Sequence, residues 1–309
     1  MNLKEAIVFA QQKFKDRKIT SASLDAEVLL LETINQHQKN KKDKSWLYLN
    51  YEKYILSENE EKEFKNCIER RRKNEPVAYI IGNKEFYGID FFVDKNVLIP
   101  RPETEIIVKE ALEMIQTSKQ RLIALDIGTG SGCIPISILS ATKTVGLTDK
   151  IEKFYANDIS RKAIEIAKIN AKKNRQYSKI IFLKCDLENA LNRIGRCDYK
   201  NIIITANLPY ISAKSYDKLA PNVRNFEPKI ALTTTDRGLY HINRLILKFA
   251  QISSKFDSFY ILLEADPEQM KRIEKLANDN MQNINIEIIK DIRGKKRIIK
   301  IYRNLFQVK

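Results

Sequence analysis

The sequence predicts a helical N-terminal region followed by an α/β domain on a mainly parallel, doubly wound sheet. Three observations carry this. Apolar residues in the first eighty positions recur at helical spacing. From about Arg121, short apolar runs alternate with helical stretches, the order that builds a parallel sheet. Two late runs, "NINIEIIKD" and "RIIKIYR", lie too close together for a crossover, so they read as an antiparallel hairpin at the end of the sheet.

The first helix is expected to bury Leu3, Ile7, Ala10 and Phe14, which share one face. Ser23 is read as the cap of a second helix carrying Leu24, Val28 and Leu31, with Asp25 and Glu27 near its positive end. Ser57 and Glu60 have capping-box spacing ahead of a helix with Phe64 and Ile68, and Glu75-Pro76 stops it. In "EFYGIDFFVDKNVLIPRPETE", aromatic and branched residues flank Gly88, which predicts a hairpin. The later strands read "RLIALD", "KFYAND", "KIIFLKCD", "NIIITAN" and "FYILLE", with helices such as Arg161–Lys173 and His241–Phe249 between them.

Composition bounds the function. The chain has 309 residues, 43% of them hydrophobic, which sets it apart from disordered sequences. No apolar run approaches a membrane span, and the N-terminus lacks the pattern of a secretory signal. Four cysteines without a C-x-x-C pair, and only two histidines, argue against a disulfide framework or zinc site and for a cytoplasmic location. The net charge of +16 fits an anionic partner such as RNA. It fits equally a lysine-rich codon bias, because the basic residues are spread along the chain.

The first strand of the α/β domain ends at Asp126 and runs into "IGTGSGCIPISIL". Gly128, Gly130 and Gly132, with Thr129 and Ser131 between them, keep the backbone bare where a helix begins, so a ligand can come close. The spacing is G-x-G-x-G. Cys133 stands where a dinucleotide fingerprint needs its last glycine, and no G-K-[ST] follows for a triphosphate. Asp158 ends the second strand, where a carboxylate can accept both hydroxyls of a ribose, and Asp186 ends the third. Three acidic strand ends around a glycine loop suit S-adenosylmethionine, which has ribose hydroxyls and an amine, a cationic sulfonium and no phosphate.

The fourth strand delivers "NLPY" to the same edge. The Asn207 side-chain oxygen and the Leu208 carbonyl can together accept two N–H bonds from a planar NH2 group. Pro209 confines Leu208 to extended backbone, and Tyr210 can stack on the flat group. The corner fits an amide, an adenine amine or a cytosine amine awaiting a methyl group.

At this point the chain resembles the bacterial peptide chain release factor glutamine methyltransferases. Glu75–Glu105, "EPVAYIIGNKEFYGIDFFVDKNVLIPRPETE", is similar to that family's linker signature. "LDIGTGSGCI", "NDIS", "NLPYI", "EPKIAL" and "DIRGKKR" follow in the family's order. The resemblance implies a helical release-factor-docking domain over 1–84, a β-hairpin linker over 85–102 and a class I S-adenosylmethionine-dependent methyltransferase domain over 103–309. That domain would be Rossmann-like, with a mostly parallel seven-stranded sheet and an antiparallel C-terminal strand. The reaction it implies is methylation of the side-chain amide of the Gln in a Gly-Gly-Gln motif, modulating translation termination. Asp126, Gly128, Thr129, Gly130, Ser131, Gly132, Asp158, Asp186, Leu187 and Asn207 would serve the cofactor. Asn207, Leu208, Pro209 and Tyr210 would form the amide pocket, with Asn207, Pro209 and Tyr210 counted as catalytic. No metal, membrane or stable nucleic-acid complex is expected, and the protein is expected to be a monomer.

Three positions depart from the family. Leu208 replaces the first proline of N-P-P-Y, and N-L-P-Y is also typical of ribosomal RNA adenine dimethyltransferases. "TTDRGL" replaces Gly-Gly-x-Asp-Gly-Leu. Leu187 stands where relatives can carry Trp against the adenine. An RNA or DNA adenine methyltransferase therefore remains a competing reading, as does a non-enzymatic RNA-binding protein. His241, the one histidine of this half, is expected to be structural or exposed.

Overall fold

The computed structural model describes residues 1–303, so the last six positions of the expected 103–309 domain lie outside the described residues. The chain divides into two compact units, one of Met1–Asn83 with Ala220–Phe226 and one of Lys84–Leu219 with Glu227–Lys309.

The first unit is helical: α1 (Leu3–Lys15), α2 (Ala22–His37), α3 (Lys44–Leu49), α4 (Glu58–Arg72) and α5 (Val77–Ile81). In α1 the predicted face is the buried one; Leu3, Ile7, Ala10 and Phe14 are at most 1% exposed. The Ser57–Glu60 capping box forms in both directions at the start of α4. Helix α2 differs from expectation. Its N-cap is Ser21, Ser23 lies in the first turn, and Leu24 is exposed. The buried face is Ala22, Ala26, Leu29, Leu30 and Ile34, and Asp25 is buried with it. That face is an apolar stripe at helical spacing, and a long-range ion pair satisfies the carboxylate buried on it: Arg71 Nε donates to Asp25 Oδ2 at 2.7 Å, and Ser21 Oγ donates to the same oxygen.

The hairpin β1 (Asn83–Phe86) and β2 (Ile89–Phe92) follows, all but its first residue in the second unit. Tyr87 and Gly88, both at positive φ, make the tight turn that suits two-residue hairpins. Phe86 and Phe91 pack edge-to-face and join the core formed by α6 (Glu105–Thr117) and α7 (Cys133–Thr144).

The main sheet has seven strands: β3 (Leu122–Ile127), β4 (Ile151–Asp158), β5 (Ile180–Lys184), β6 (Asn201–Ala206), β7 (Ser258–Glu264), β8 (Asn285–Lys290) and β9 (Lys296–Arg303). Their order is β5-β4-β3-β6-β7-β9-β8. The first five in that order pair in parallel, while β9 runs antiparallel to both β7 and β8. Strands β3 and β6 are wholly buried, which explains their unbroken apolar runs. One apolar core lies on each face of the sheet. The fold is thus the doubly wound sheet with an antiparallel end that the sequence predicts. The strand order reverses between β3 and β6, where ligands bind in sheets of this kind.

Candidate functional site

At the carboxyl ends of β3, β4, β5 and β6 the second unit encloses a cavity of about 200 Å³. Its lining includes Gly128, Thr129, Gly130, Ser131, Asp158, Asp186, Leu187, Asn207, Leu208 and Pro209. The ten come from four loops separated by dozens of residues, and strand register brings them together. Asp126, Gly132 and Tyr210 stand outside that lining.

The glycine loop is held from below. Gly128 and Thr129 donate their N–H groups to the Asn157 carbonyl at 2.9 and 2.8 Å. Gly128 has φ +73°, and a Cβ there would press on Leu208 Cδ2 at 3.2 Å, so the loop and the N-L-P-Y corner touch through a missing side chain. Gly132 leads into α7 as its N-cap in the left-handed region. Asp126 lies beneath the loop, 1% exposed, and accepts from Thr205 Oγ1 at 2.7 Å. Burial pushes its carboxyl up to about 6, opposed by the Thr205 hydrogen bond.

Asp158 Oδ2 accepts the Gly130 N–H at 3.0 Å, and its Oδ1 accepts the Ser160 N–H at 2.8 Å. Burial raises its carboxyl, and these backbone donors oppose the rise. A carboxylate has about four acceptor positions, so two remain for hydroxyl donors. Asp186 caps the helix Leu187–Gly195 through the Asn189 N–H at 2.8 Å. Beside it the Asn157 amide donates from Nδ2 to the Cys185 carbonyl, while its buried Oδ1 has no partner. A buried acceptor of this kind asks for a donor from a ligand. Val97, Leu98, Ile134, Ile159 and Ile230 add apolar wall. Open carboxylate positions, an unpaired amide oxygen, a bare glycine loop and apolar walls together fit an adenosine.

At the corner, Asn207 Nδ2 donates to Thr104 Oγ1 at 3.0 Å, so Oδ1 is the free end of the amide. The Leu208 carbonyl accepts no hydrogen bond from the described residues. Leu208 itself is 7% exposed and part of the core. Tyr210 is tied back: its hydroxyl donates to Glu264 Oε1 at 3.2 Å, and its carbonyl accepts from Gln269 Nε2 at 2.9 Å. The departure "TTDRGL" packs directly on this corner. Gly238 has φ +85°, and a Cβ there would collide with the Tyr210 carbonyl and the Gln269 amide. The one glycine that this segment keeps is the one the contact requires.

Several cavity residues escape sequence reasoning. Asn157, Thr104, Arg101, His241 and Arg244 all line it. His241, expected to be structural or exposed, is half-buried there, and burial followed by the nearby Arg244 charge lowers its pKa. Arg244 is held by Glu188, whose Oε1 accepts from Nε and Nη2 at 2.9 and 2.7 Å. Arg101 pairs with Glu227, which is 4% exposed and also accepts the Ile99 N–H.

Comparison with known proteins places this geometry. The hMettl16 catalytic domain, solved in complex with the MAT2A 3'UTR hairpin 6, superposes with a TM-score of 0.54 at 15% identity, covering 88% of this chain and 96% of that one. A family model described as the PrmC N-terminal domain matches residues 5–82, and one described as ribosomal protein L11 methyltransferase (PrmA) matches residues 102–229. Fold and site define a class I S-adenosylmethionine-dependent methyltransferase. The release factor glutamine methyltransferase of Rhodopirellula baltica is 33% identical over 94% of this chain and 92% of its own length, and that of Dictyoglomus turgidum is 32% identical over 97% and 98%. The chain belongs to the release factor glutamine methyltransferase family and is an S-adenosylmethionine-dependent protein-glutamine methyltransferase. No helix among the described residues is long and apolar enough to cross a membrane.

Proposed function

We propose that the protein methylates the side-chain amide nitrogen of the Gln in a Gly-Gly-Gln motif of bacterial class 1 release factors, and that it thereby modulates translation termination. The observation that carries this is the polarity of the N-L-P-Y corner. Asn207 Nδ2 is committed to Thr104, so Oδ1 and the unengaged Leu208 carbonyl stand as two neighbouring acceptors beside the cavity.

When bound, the cofactor would supply a methyl group on its sulfonium; the amide nitrogen would take it in a single displacement that breaks the sulfur–methyl bond and releases S-adenosylhomocysteine. Asp158 would hold the ribose hydroxyls through its two open acceptor positions. Asp186 and Leu187 would close the wall around the adenine, and the Gly128–Gly132 loop would admit the chain of the cofactor at close range. Asp126 would support that loop from beneath. Asn207 Oδ1 and the Leu208 carbonyl would accept both N–H groups of the substrate amide. They fix its plane and stabilise the positive charge that grows on nitrogen. Pro209 and Tyr210 would complete the pocket. The surplus proton passes to water, with no dedicated base.

The helical domain over 1–84 would dock the release factor. Val8, Leu24, Leu49 and Ile55 of this region are more than half exposed and would be available to a protein partner. The 85–102 hairpin segment would join it to the methyltransferase domain, and the enzyme would act as a cytoplasmic monomer.

The test is single-turnover transfer from labelled cofactor to a release factor, with ribosomal RNA as the competing acceptor. Label should enter the release factor Gln alone. Asn207→Ala should fold, keep most of its cofactor affinity and lose roughly two to three orders of magnitude in rate, the scale of one preorganised partner. Label in adenine would move the enzyme to the competing nucleic-acid reading. A wild-type rate for Asn207→Ala would remove the corner from the reaction.

A further inference from the structure

Glu264 ends β7, a strand that contributes nothing to the sequence-predicted site. Its carboxylate is 3% exposed and divides its two oxygens. Oε2 accepts Thr104 Oγ1 at 2.6 Å, and Oε1 accepts the Tyr210 hydroxyl at 3.2 Å. Thr104 Oγ1 in turn accepts Asn207 Nδ2 at 3.0 Å. The chain Asn207–Thr104–Glu264–Tyr210 is drawn from three distant places in the sequence and converges on the corner.

The direction of this chain follows from counting protons. An ionised carboxylate can only accept. A threonine hydroxyl has one proton, and here it is given to Glu264. The remaining lone pairs of Thr104 can meet only a donor, so they select the NH2 end of the Asn207 amide. The two ends of that amide have nearly the same size and opposite polarity, and without such a partner the group could turn over. We propose that Glu264, acting through Thr104, is a positioning residue that sets the amide polarity of Asn207 and turns its oxygen toward the substrate nitrogen. The same carboxylate holds Tyr210 by its hydroxyl, so one buried charge aligns both halves of the corner. This rests on the reading that Asn207 accepts an N–H of the reacting amide.

The charge on Glu264 is the element that gives the chain its direction. Burial raises its carboxyl and the Glu103 charge adds to the rise, while the hydroxyls of Thr104 and Tyr210 and the Arg297 charge oppose it. A protonated Glu264 could donate to Thr104, which would then donate to Asn207 and turn the wrong end of the amide outward. The transfer step is therefore expected to fail on the acid side as Glu264 gains its proton.

The experiment is single-turnover methyl transfer to intact release factor, with cofactor affinity measured separately for each full-length variant. Thr104→Val keeps the shape and removes the hydroxyl. It should lower the rate about tenfold to a hundredfold, as loss of an orienting partner does, with cofactor affinity within twofold of wild type. Thr104→Ser should restore most of the rate. Glu264→Gln should lose rate comparably and lose the acid limb of the pH–rate profile. In an Asn207→Ala background Thr104→Val should cost nothing further. A wild-type rate for folded Thr104→Val, or an equal loss with and without Asn207, would overturn the proposal. Full activity of Asn207→Ala by itself would instead overturn the reading of the corner on which it rests.

Discussion

The helical unit and the carboxyl edge of the sheet both bury polar groups, and they treat them in opposite ways. In the helical unit the groups named here close on one another, with Arg72 Nε the one buried polar side-chain atom left without a partner among its described residues. Arg71 meets Asp25, and Arg71 Nη1 also reaches the Glu75 carbonyl; Glu60 accepts Ser57 N, Ser57 Oγ and the Tyr54 hydroxyl. At the sheet edge the groups are half-used. Asp158 keeps open acceptor positions, Asn157 Oδ1 has no partner, and Asn207 commits one end of its amide. A closed network serves folding, because its loss leaves a buried charge unpaired. An open one is a standing demand for ligand, and unbound protein carries its desolvation cost.

The largest test of this contrast is Asp25→Ala. It strips the partner from a buried guanidinium, and urea unfolding should show a loss of about 3–5 kcal/mol. Cofactor affinity should not move; a matching loss of affinity would mean that the two regions do not separate folding from binding. Next comes Asp126→Asn at the open edge. The Asp126 carboxyl sits at about 6 in the folded protein against an ordinary 3.8, so the folded state holds its proton more tightly. Stability from this group is present below pH 4 and is lost as pH rises to about 6. The span corresponds to roughly 3 kcal/mol. Unfolding measured across this range should show the decline in wild type and a flatter line in the variant. A steeper line would reverse the sign assigned to Asp126.

Smaller effects sharpen the contrast. Asp158→Ala should weaken S-adenosylmethionine binding by about 1–3 kcal/mol in calorimetry through lost charged hydrogen bonds, with little change in unfolding midpoint. Unchanged affinity would take Asp158 off the ribose. Ser57→Ala removes one half of the capping box and should cost about 1 kcal/mol of stability with no effect on turnover. An equal loss of turnover would tie α4 to the reaction rather than to folding alone.

What was legible in the sequence follows from how local the deciding interactions are. The face of α1 needs only its own spacing, and Leu3, Ile7, Ala10 and Phe14 show it. The face of α2 was legible too, since Ala22, Ala26, Leu29, Leu30 and Ile34 share one face at helical spacing. The competing stripe Leu24, Val28 and Leu31 has the same period, however, and the buried Asp25 that meets Arg71, 46 positions away, has no apolar signal of its own. At the site, the Gly128–Gly132 loop, Asp158, Asp186 and the Asn207 corner were readable because each ends a strand, and strand ends gather at one edge. Glu264 also ends a strand, and that was the signal available for it. Thr104, His241 and Arg244 lie on helices or their entries, where only the register of the finished sheet decides what they face. The positive φ of Gly238 belongs to this second group, since the Tyr210 carbonyl it must clear is 28 positions earlier.

The strand order has a consequence for how such an enzyme can change. Loops after β3, β4 and β5 form the wall assigned to the methyl donor, and the loop after β6, braced from β7, forms the corner assigned to the acceptor. The two assignments therefore meet at the seam between β3 and β6, with Asn207 and Ile230, both after β6, also lining the cavity. The two sides touch at the contact of Leu208 with the bare Gly128 backbone and at the Thr205–Asp126 hydrogen bond. A substitution at either of these contacts would therefore be felt by the glycine loop and by the N-L-P-Y corner together.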